Sequence, residues 1–454
     1  MVNKTKELDF PGSPGEMPMY DLSVIDNESL WTINNTHDPG IIKTDEGYYI
    51  FSTDVRVGGE LRPGVMVRKS QDLIHWEWVQ YALPGIPEIA KEWAGATNLW
   101  APDVVKYKEQ YRMYYSASSF GSRQSLIGLQ TSSAIEGPWT DAGVVIQTRA
   151  EDPMNAIDAN VVTDAEGKMW LVYGSFFGGI HILELDEETG KPKAEGFGKL
   201  IAKRDPAIKD GAVEGPYIVY NEQFKKYYLF VSYDSLFEDY NVRVARADSI
   251  TGPYVDYHGR DMTDSAYQPR YEVGNKILGG YRFGQDPGWI APGHNSVLND
   301  DGYYYIIHHA RGEQDKHWSY LHVRKLLWTE DGWPVASPER YAGEEEQVIP
   351  EQLIAGSWER IVIEPSVDGQ IQSAPLRLTS DYLLEGANGT GSWSFDGDRI
   401  LTLVWHEVME NEGRIEKVQL LPAWDWEKGT STLVFTGLND NGISTWAKKN
   451  GEDD

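Results

Sequence analysis

The sequence predicts an all-β protein, a five-bladed β-propeller over residues 20–355 followed by a small C-terminal β-barrel or sandwich over 356–454. Three observations carry this expectation. One pattern recurs five times: a polar or acidic residue ahead of an apolar strand, a turn, and an aromatic-rich return strand. Further strand-like runs between the copies bring each unit to about four strands, the signature of blades stacked radially around a channel. Strong helical periodicity is scarce.

Residues 1–20 read as a polar, irregular lead-in with Gly and Pro. The first copy runs from His37-Asp38-Pro39-Gly40 through Ile41-Ile42 and the turn Thr44-Asp45-Glu46-Gly47 to Tyr48-Tyr49-Ile50-Phe51-Ser52. A turn of this composition between two apolar runs is a hairpin signal. The second starts at Trp100-Ala101-Pro102-Asp103-Val104-Val105 and returns through Tyr111-Arg112-Met113-Tyr114-Tyr115-Ser116. The third is Asn155-Ala156-Ile157-Asp158-Ala159-Asn160-Val161-Val162, returning through Met169-Trp170-Leu171-Val172-Tyr173-Gly174-Ser175. The fourth is Val213-Glu214-Gly215-Pro216-Tyr217-Ile218-Val219 with Tyr227-Tyr228-Leu229-Phe230-Val231-Ser232. The fifth is Gly293-His294-Asn295-Ser296-Val297-Leu298 with Tyr303-Tyr304-Tyr305-Ile306-Ile307. One short helix is expected over Pro87 to Trp93, with Pro87 at its first position, where a missing N–H costs nothing. The blade pattern stops after Trp333-Pro334-Val335-Ala336, near the acidic Glu344-Glu345-Glu346. Beyond it, alternating runs such as Arg399 to Trp405 and Thr432 to Phe435 indicate a separate β domain, whose Trp393, Trp424 and Trp426 are expected to pack its core, with sugar binding as the alternative use.

Composition narrows the function. The 454 residues carry a formal charge of −29, which argues against a nucleic-acid or anionic-membrane partner and suits a neutral substrate such as a glycan. The absence of Cys rules out disulfides, thiolate nucleophiles and Cys-based metal sites. No apolar run is long enough to span a membrane. The stretch Met1 to Leu8 lacks the apolar centre of a signal peptide, so the chain is read as intracellular or as a mature form whose signal has been removed.

What differs between the copies carries the chemistry. Aligned on Ile41, Val104, Val161, Tyr217 and Val297, the residues three positions upstream are Asp38, Ala101, Asp158, Glu214 and His294. In a propeller, equivalent positions at the starts of the inner strands converge on one mouth of the channel. Each residue alone reads as a turn former or a hydrogen-bonded structural group. Four titratable groups in one register point instead to a shared site. Clustered carboxylates shift one another's pKa, and one that stays protonated serves as a general acid. Two carboxyl groups beside an aromatic-lined pocket are the apparatus for cleaving a glycosidic bond. Asp38 and Glu214 fall on blades that are not neighbours, which favours the wider spacing of about 6.5–9.5 Å used by inverting enzymes.

As an ordered set, the five stretches around Asp38, Ala101, Asp158, Glu214 and His294 resemble glycoside hydrolase family 43, and within it the α-L-arabinanases. The resemblance covers residues 30 to about 335, and the C-terminal domain is similar to that of the two-domain extracellular arabinanases. It implies an inverting, endo-acting hydrolase of α-1,5-linked arabinan, with Asp38 as general base, Glu214 as general acid and Asp158 tuning and holding that acid. It implies His294 as ligand of a calcium ion, otherwise held mainly by waters, on the propeller axis; sodium is the alternative ion. It places His37 beside that ion through a bridging water, Trp100 and Phe120 in stacking contact with arabinose rings, and Asn160 and Ser175 in hydrogen bonds to sugar hydroxyls. An extracellular monomer acting on a polysaccharide follows from the same resemblance. Three other readings compete with this one: an exo-acting arabinofuranosidase or β-xylosidase of the same family, a fructan hydrolase suggested by Arg204-Asp205-Pro206, and a sugar-binding lectin. The lack of Cys counts against the fructan hydrolase, and the diversified register against the lectin.

Overall fold

The computed structural model describes residues 8–387, 389–406 and 414–451. Five antiparallel blades follow one another along the chain; the first, second and fourth have four strands, the third has five, and the fifth lies in a six-stranded sheet. Their first, inner strands are Gly40–Thr44, Trp100–Tyr107, Asn160–Thr163, Val213–Asn221 and Trp289–Asp300. Each returns through a tight turn to a second strand, Gly47–Ser52, Gln110–Ala117, Met169–Ser175, Lys226–Tyr233 and Tyr303–Gly312. In the first blade's turn Gly47 is required: its φ is 120°, and a Cβ there would meet the Ser70 carbonyl oxygen at 2.6 Å.

The core lies between blades rather than within one. Tyr49, Phe51 and Val67 of the first blade pack with Val104, Met113 and Tyr115 of the second. Ile127 and Leu129 meet Val161, Leu171 and Tyr173 between the second and third. Val172 and Ile180 meet Leu229 and Val231 between the third and fourth. The fifth blade closes the ring against the first and fourth through Val297, Ile306 and Val323, with Trp31 and Ile50 on one side and Phe230 and Val244 on the other. Each blade face is therefore apolar, and alternating burial of one sheet against the next supplies the driving force.

The expected short helix forms at Glu88–Ala94, one residue later than the sequence suggests. Pro87 is its N-cap, with φ −55° and ψ 141°, and not its first helical residue. Its extended ψ sets the chain direction just before the helix begins. Among the described residues no helix is long and apolar enough to cross a membrane.

The C-terminal part settles the choice between barrel and sandwich. Eight strands from Gly356–Val362 to Ser444–Lys449 close on themselves, with Trp358 opposite Lys449 and Val362 opposite Thr445. Trp358, Trp393, Leu403, Leu420 and Phe435 fill the interior. Trp426 donates its indole N–H to the Arg340 carbonyl at 2.8 Å, and Trp424 is half-buried, so these tryptophans serve packing. The barrel is welded to the propeller. Its segment Gln370–Gln372 pairs in parallel with Gly280–Arg282, which in turn joins the fifth blade.

A buried charge cluster secures the same junction. Lys448 Nζ lies 3.0 Å from Glu339, 3.1 Å from Asp425, 3.3 Å from Asp286 and 3.5 Å from Glu427. Removing the one ammonium would leave buried carboxylates facing each other. Lys448→Ala is expected to lower the unfolding free energy by about 3–5 kcal/mol, the usual cost of orphaning a buried ion pair, as read by chemical denaturation.

Candidate active site

At the head of each inner strand the backbone takes a left-handed turn. The residues there are Asp38 (φ 49°), Ala101 (38°), Asp158 (61°), Gly215 (58°) and His294 (41°). Non-glycine residues avoid this region, so five such turns at equivalent places are imposed by the surroundings. The restraint is visible. Every one of these residues donates its N–H to a group on the preceding blade: Ala101 to Thr53 Oγ1 (2.7 Å), Asp158 to Ser116 Oγ (2.8 Å), His294 to Ser232 Oγ (2.8 Å), Asp38 to His309 Nδ1 (3.3 Å) and Gly215 to Asp158 Oδ2 (3.0 Å).

This corrects the sequence register in the fourth blade. Asp103, Ser296 and Tyr217 hold equivalent places, opposite Tyr114, Ile307 and Phe230 on their second strands. Two residues before them stand Ala101, His294 and Gly215. Glu214 is thus one residue earlier, equivalent to Trp100 and Gly293, and pairs with Ser232. The position that demands positive φ is given to glycine, and a Cβ on Gly215 would also come within 2.9 Å of the His294 ring. The acid issues from the preceding residue, whose longer side chain makes up the step.

The four titratable groups do converge. Asp38 Oδ1 lies 2.8 Å from His37 Nδ1, 3.2 Å from His294 Nδ1 and 3.7 Å from His309 Nδ1. Its Oδ2 accepts a hydrogen bond from the Thr53 hydroxyl at 2.6 Å. His294 Nδ1 is also 3.9 Å from Asp158 Oδ2. Glu214 Oε1 accepts the phenol O–H of Tyr240 at 2.8 Å.

Their protonation states are pushed apart. Burial works to raise the pKa of Asp38, but the His37 and His294 imidazoles outweigh it and hold the carboxyl well below its ordinary range. Burial, and then the Asp158 carboxylate, push Glu214 up to about 8. Asp158 is raised by burial to about 6, against the pull of His294. Burial would lower His294, yet Asp38 and Asp158 raise it to about 9. The surroundings favour the ionised form of Asp38 and the protonated form of Glu214, the condition for paired base and acid work.

The site opens into a cleft with two lobes that share Trp100, Phe120, Ile157, Glu214, Leu236 and Phe237. One lobe, of about 510 Å³, holds Asp38, Asp158 and His294; the other, of about 940 Å³, runs past Ser175, Phe177, Arg204 and Lys209. Phe120 is 82% exposed, an open ring of the kind that stacks on sugars, and Phe177 is 42% exposed with the Arg123 guanidinium 5.0 Å over its ring. Ser175 lines the larger lobe, its hydroxyl accepting from the Asn155 amide at 3.0 Å. Asn160 is not at the cleft. Its amide bridges blades, donating to Asp103 Oδ2 at 3.2 Å and accepting from the Ile218 N–H at 2.9 Å, so both its polar atoms are spent on structure.

Sequence reasoning missed Thr53, Phe177, Phe237, Tyr240, His309 and Arg311. None heads an inner strand, so the register could not select them. His309 and Thr53 lie near or just past the ends of second strands, at places equivalent to Ser116 and Ser232, a signal that the repeat did contain.

Two groups of side chains have the donor atoms for a metal among the described residues. Those of His37, Asp38 and His309 lie within 4.8 Å of one another, as do those of Glu339, Asp425 and Glu427, where Lys448 already sits. Beside His294, the oxygens of Asp38 and Asp158 suit a hard cation. The two carboxylates that favour a proton on this imidazole favour a cation in the same place.

Residues 32–334 match the sequence model of "Glycosyl hydrolases family 43", and residues 338–447 that of a "C-terminal lipocalin-like domain". The chain is 34% identical to the extracellular endo-alpha-(1->5)-L-arabinanase of Thermotoga petrophila, over 92% of this chain and 93% of that one. It is 30% identical to the extracellular endo-alpha-(1->5)-L-arabinanase 2 of Bacillus subtilis, over 94% of this chain and 95% of the relative. The crystal structure of endo-1,5-alpha-L-arabinanase from Thermotoga petrophila superposes with a TM-score of 0.81 at 33% identity, covering 92% of this chain and 99% of that one. Blade order, converging acids and these likenesses agree, and the chain belongs to glycosyl hydrolases family 43.

Proposed function

We propose that the protein is an extracellular, endo-acting hydrolase that cleaves the α-1,5 bonds of L-arabinan with inversion. The observation that carries this reading is the convergence of Asp38, Asp158 and Glu214 on one cleft that continues past Glu214 into a second lobe, with surroundings that push Asp38 down and Glu214 up in pKa. An open cleft admits the interior of a polymer, whereas an exo enzyme needs one end closed. The names of the relatives, arabinanases acting within the chain, support the same substrate.

In this reading Glu214 gives its proton to the leaving glycosidic oxygen while Asp38 takes a proton from the attacking water. Asp158, by accepting the Gly215 N–H, fixes the backbone beside the acid, and its charge keeps Glu214 protonated. Trp100 and Phe120, shared by both lobes, carry the sugar rings past the acid, and Ser175 faces the chain farther along. A hydrated calcium ion, with sodium as the alternative, would be held by His294 with Asp38 and Asp158 nearby. It would supply positive charge beside the two carboxylates.

Glu214→Ala and Asp38→Ala are each expected to cut release of reducing ends from linear arabinan by at least about 10²–10⁴-fold while leaving the melting temperature near that of the wild type; substantial activity in either sinks the assignment. Chromatography should find mixed oligosaccharides early in the digest, and a single small product throughout would mean exo action. Because Glu214 must be protonated, and its raised pKa keeps it so up to about 8, kcat/KM should fall as pH rises through that value. Exhaustive chelation should lower both activity and melting temperature, with calcium restoring them. His294→Ala should lose that response, and indifference to chelators would remove calcium from the proposal.

A further inference from the structure

Tyr240 is 1% exposed and sits just ahead of the strand Asn241–Ala247. Its phenol donates to Glu214 Oε1 at 2.8 Å. Its ring lies 5.8 Å from that of His309 at 29°, and His309 is stacked on His37 at 3.8 Å and 20°. The ring also presses on Gly293, where a Cβ would fall 2.0 Å from Tyr240 Cδ1. A glycine ahead of His294 is therefore what admits the ring. Three rings in a row connect the acid on the fourth blade to the histidines that surround Asp38.

We propose that Tyr240 is a positioning residue whose O–H occupies Glu214 Oε1, so that the proton used in catalysis is confined to Oε2. The inference rests on Glu214 being the general acid. A neutral carboxyl can carry its proton on either oxygen, and only one of them can be aimed at the leaving group. An O–H donor on Oε1 makes that oxygen an acceptor and leaves the proton to the other. Tyr240 stays a donor, because burial and the neighbouring Glu214 carboxylate push its pKa well above the ordinary value. In the reacting step the proton leaves Oε2 for the glycosidic oxygen as the C–O bond breaks, and its electron pair stays on the Glu214 carboxylate. The bond from Tyr240 then becomes charge-assisted and strengthens, so it favours the transition state over the bound substrate.

Tyr240→Phe keeps the ring on Gly293 and His309 and removes only the donor. The measurement is kcat and KM on linear arabino-oligosaccharides and on a nitrophenyl arabinotrioside, whose leaving group departs without a proton, in both wild-type and Glu214→Gln backgrounds. On the oligosaccharides kcat should fall by about 10- to 100-fold with KM little changed, the loss expected for a hydrogen bond to a charged group. The nitrophenyl substrate should lose far less, and Tyr240→Phe should add nothing once Glu214 is Gln. Equal losses on both substrates, or a full further loss in Glu214→Gln, would overturn the inference. Near-normal arabinan hydrolysis by Glu214→Gln itself would instead overturn the acid assignment. If Tyr240→Phe fails to fold, Tyr240→3-fluorotyrosine keeps the shape and changes the donor strength. It should alter kcat on the oligosaccharides alone, and unchanged values on both substrates would refute the role.

Discussion

The structure depends on five backbone turns that polypeptides ordinarily avoid. Four non-glycine residues with φ between 38° and 61° head inner strands, each at about 1–2 kcal/mol of intrinsic cost. What holds them is a ring of N–H donations from each blade to the one before it. Hydroxyls of Thr53, Ser116 and Ser232 and the ring nitrogen of His309 accept four of these, and the Asp158 carboxylate accepts the fifth. The ring both joins neighbouring blades and turns the side chains toward the axis. Fold and site are thus held by the same bonds, and the large apolar faces between blades supply the stability that the turns consume.

The ring also sets up the electrostatics. Three carboxyls brought together away from water would all drift toward the neutral form. They are separated instead by unequal company. Asp38 sits among three imidazoles, while Glu214 has a phenol and a nearby carboxylate. His294 Nδ1 lies between two carboxylates, 3.2 Å from Asp38 and 3.9 Å from Asp158, where a positive charge is favoured. The residues at equivalent starts are alike in backbone and unlike in surroundings, and it is the surroundings that assign base and acid.

Much of this was legible in the sequence, because the blade pattern is written locally: strand, turn and return strand lie within some twenty residues of each other. The convergence of Asp38, Asp158, Glu214 and His294 followed from it. The one-residue displacement of Glu214 did not, since the apolar pattern cannot see φ, although Gly215 marks the spot. Asn160 was misread because its place, equivalent to Asp103, belongs to a row of inter-blade contacts one step beyond the site. Tyr240, Phe177 and Phe237 come from segments after the second strands, where nothing repeats. Closure of the barrel joins Gly356–Val362 to Ser444–Lys449, a pairing too distant in sequence for any local pattern to announce.

Ala101 has a consequence for how such a protein can change. It adopts the same strained turn as its four counterparts, with its N–H on Thr53, yet has no functional group to offer. At Ala101 the turn is thus held by main-chain atoms and by the neighbouring blade, and owes nothing to the side chain it carries. Each strand head other than Gly215 is in effect a socket, and a single substitution can exchange what it displays while the ring stays closed. Repetition of this kind lets new chemistry be tried at one socket without renegotiating the architecture of the others.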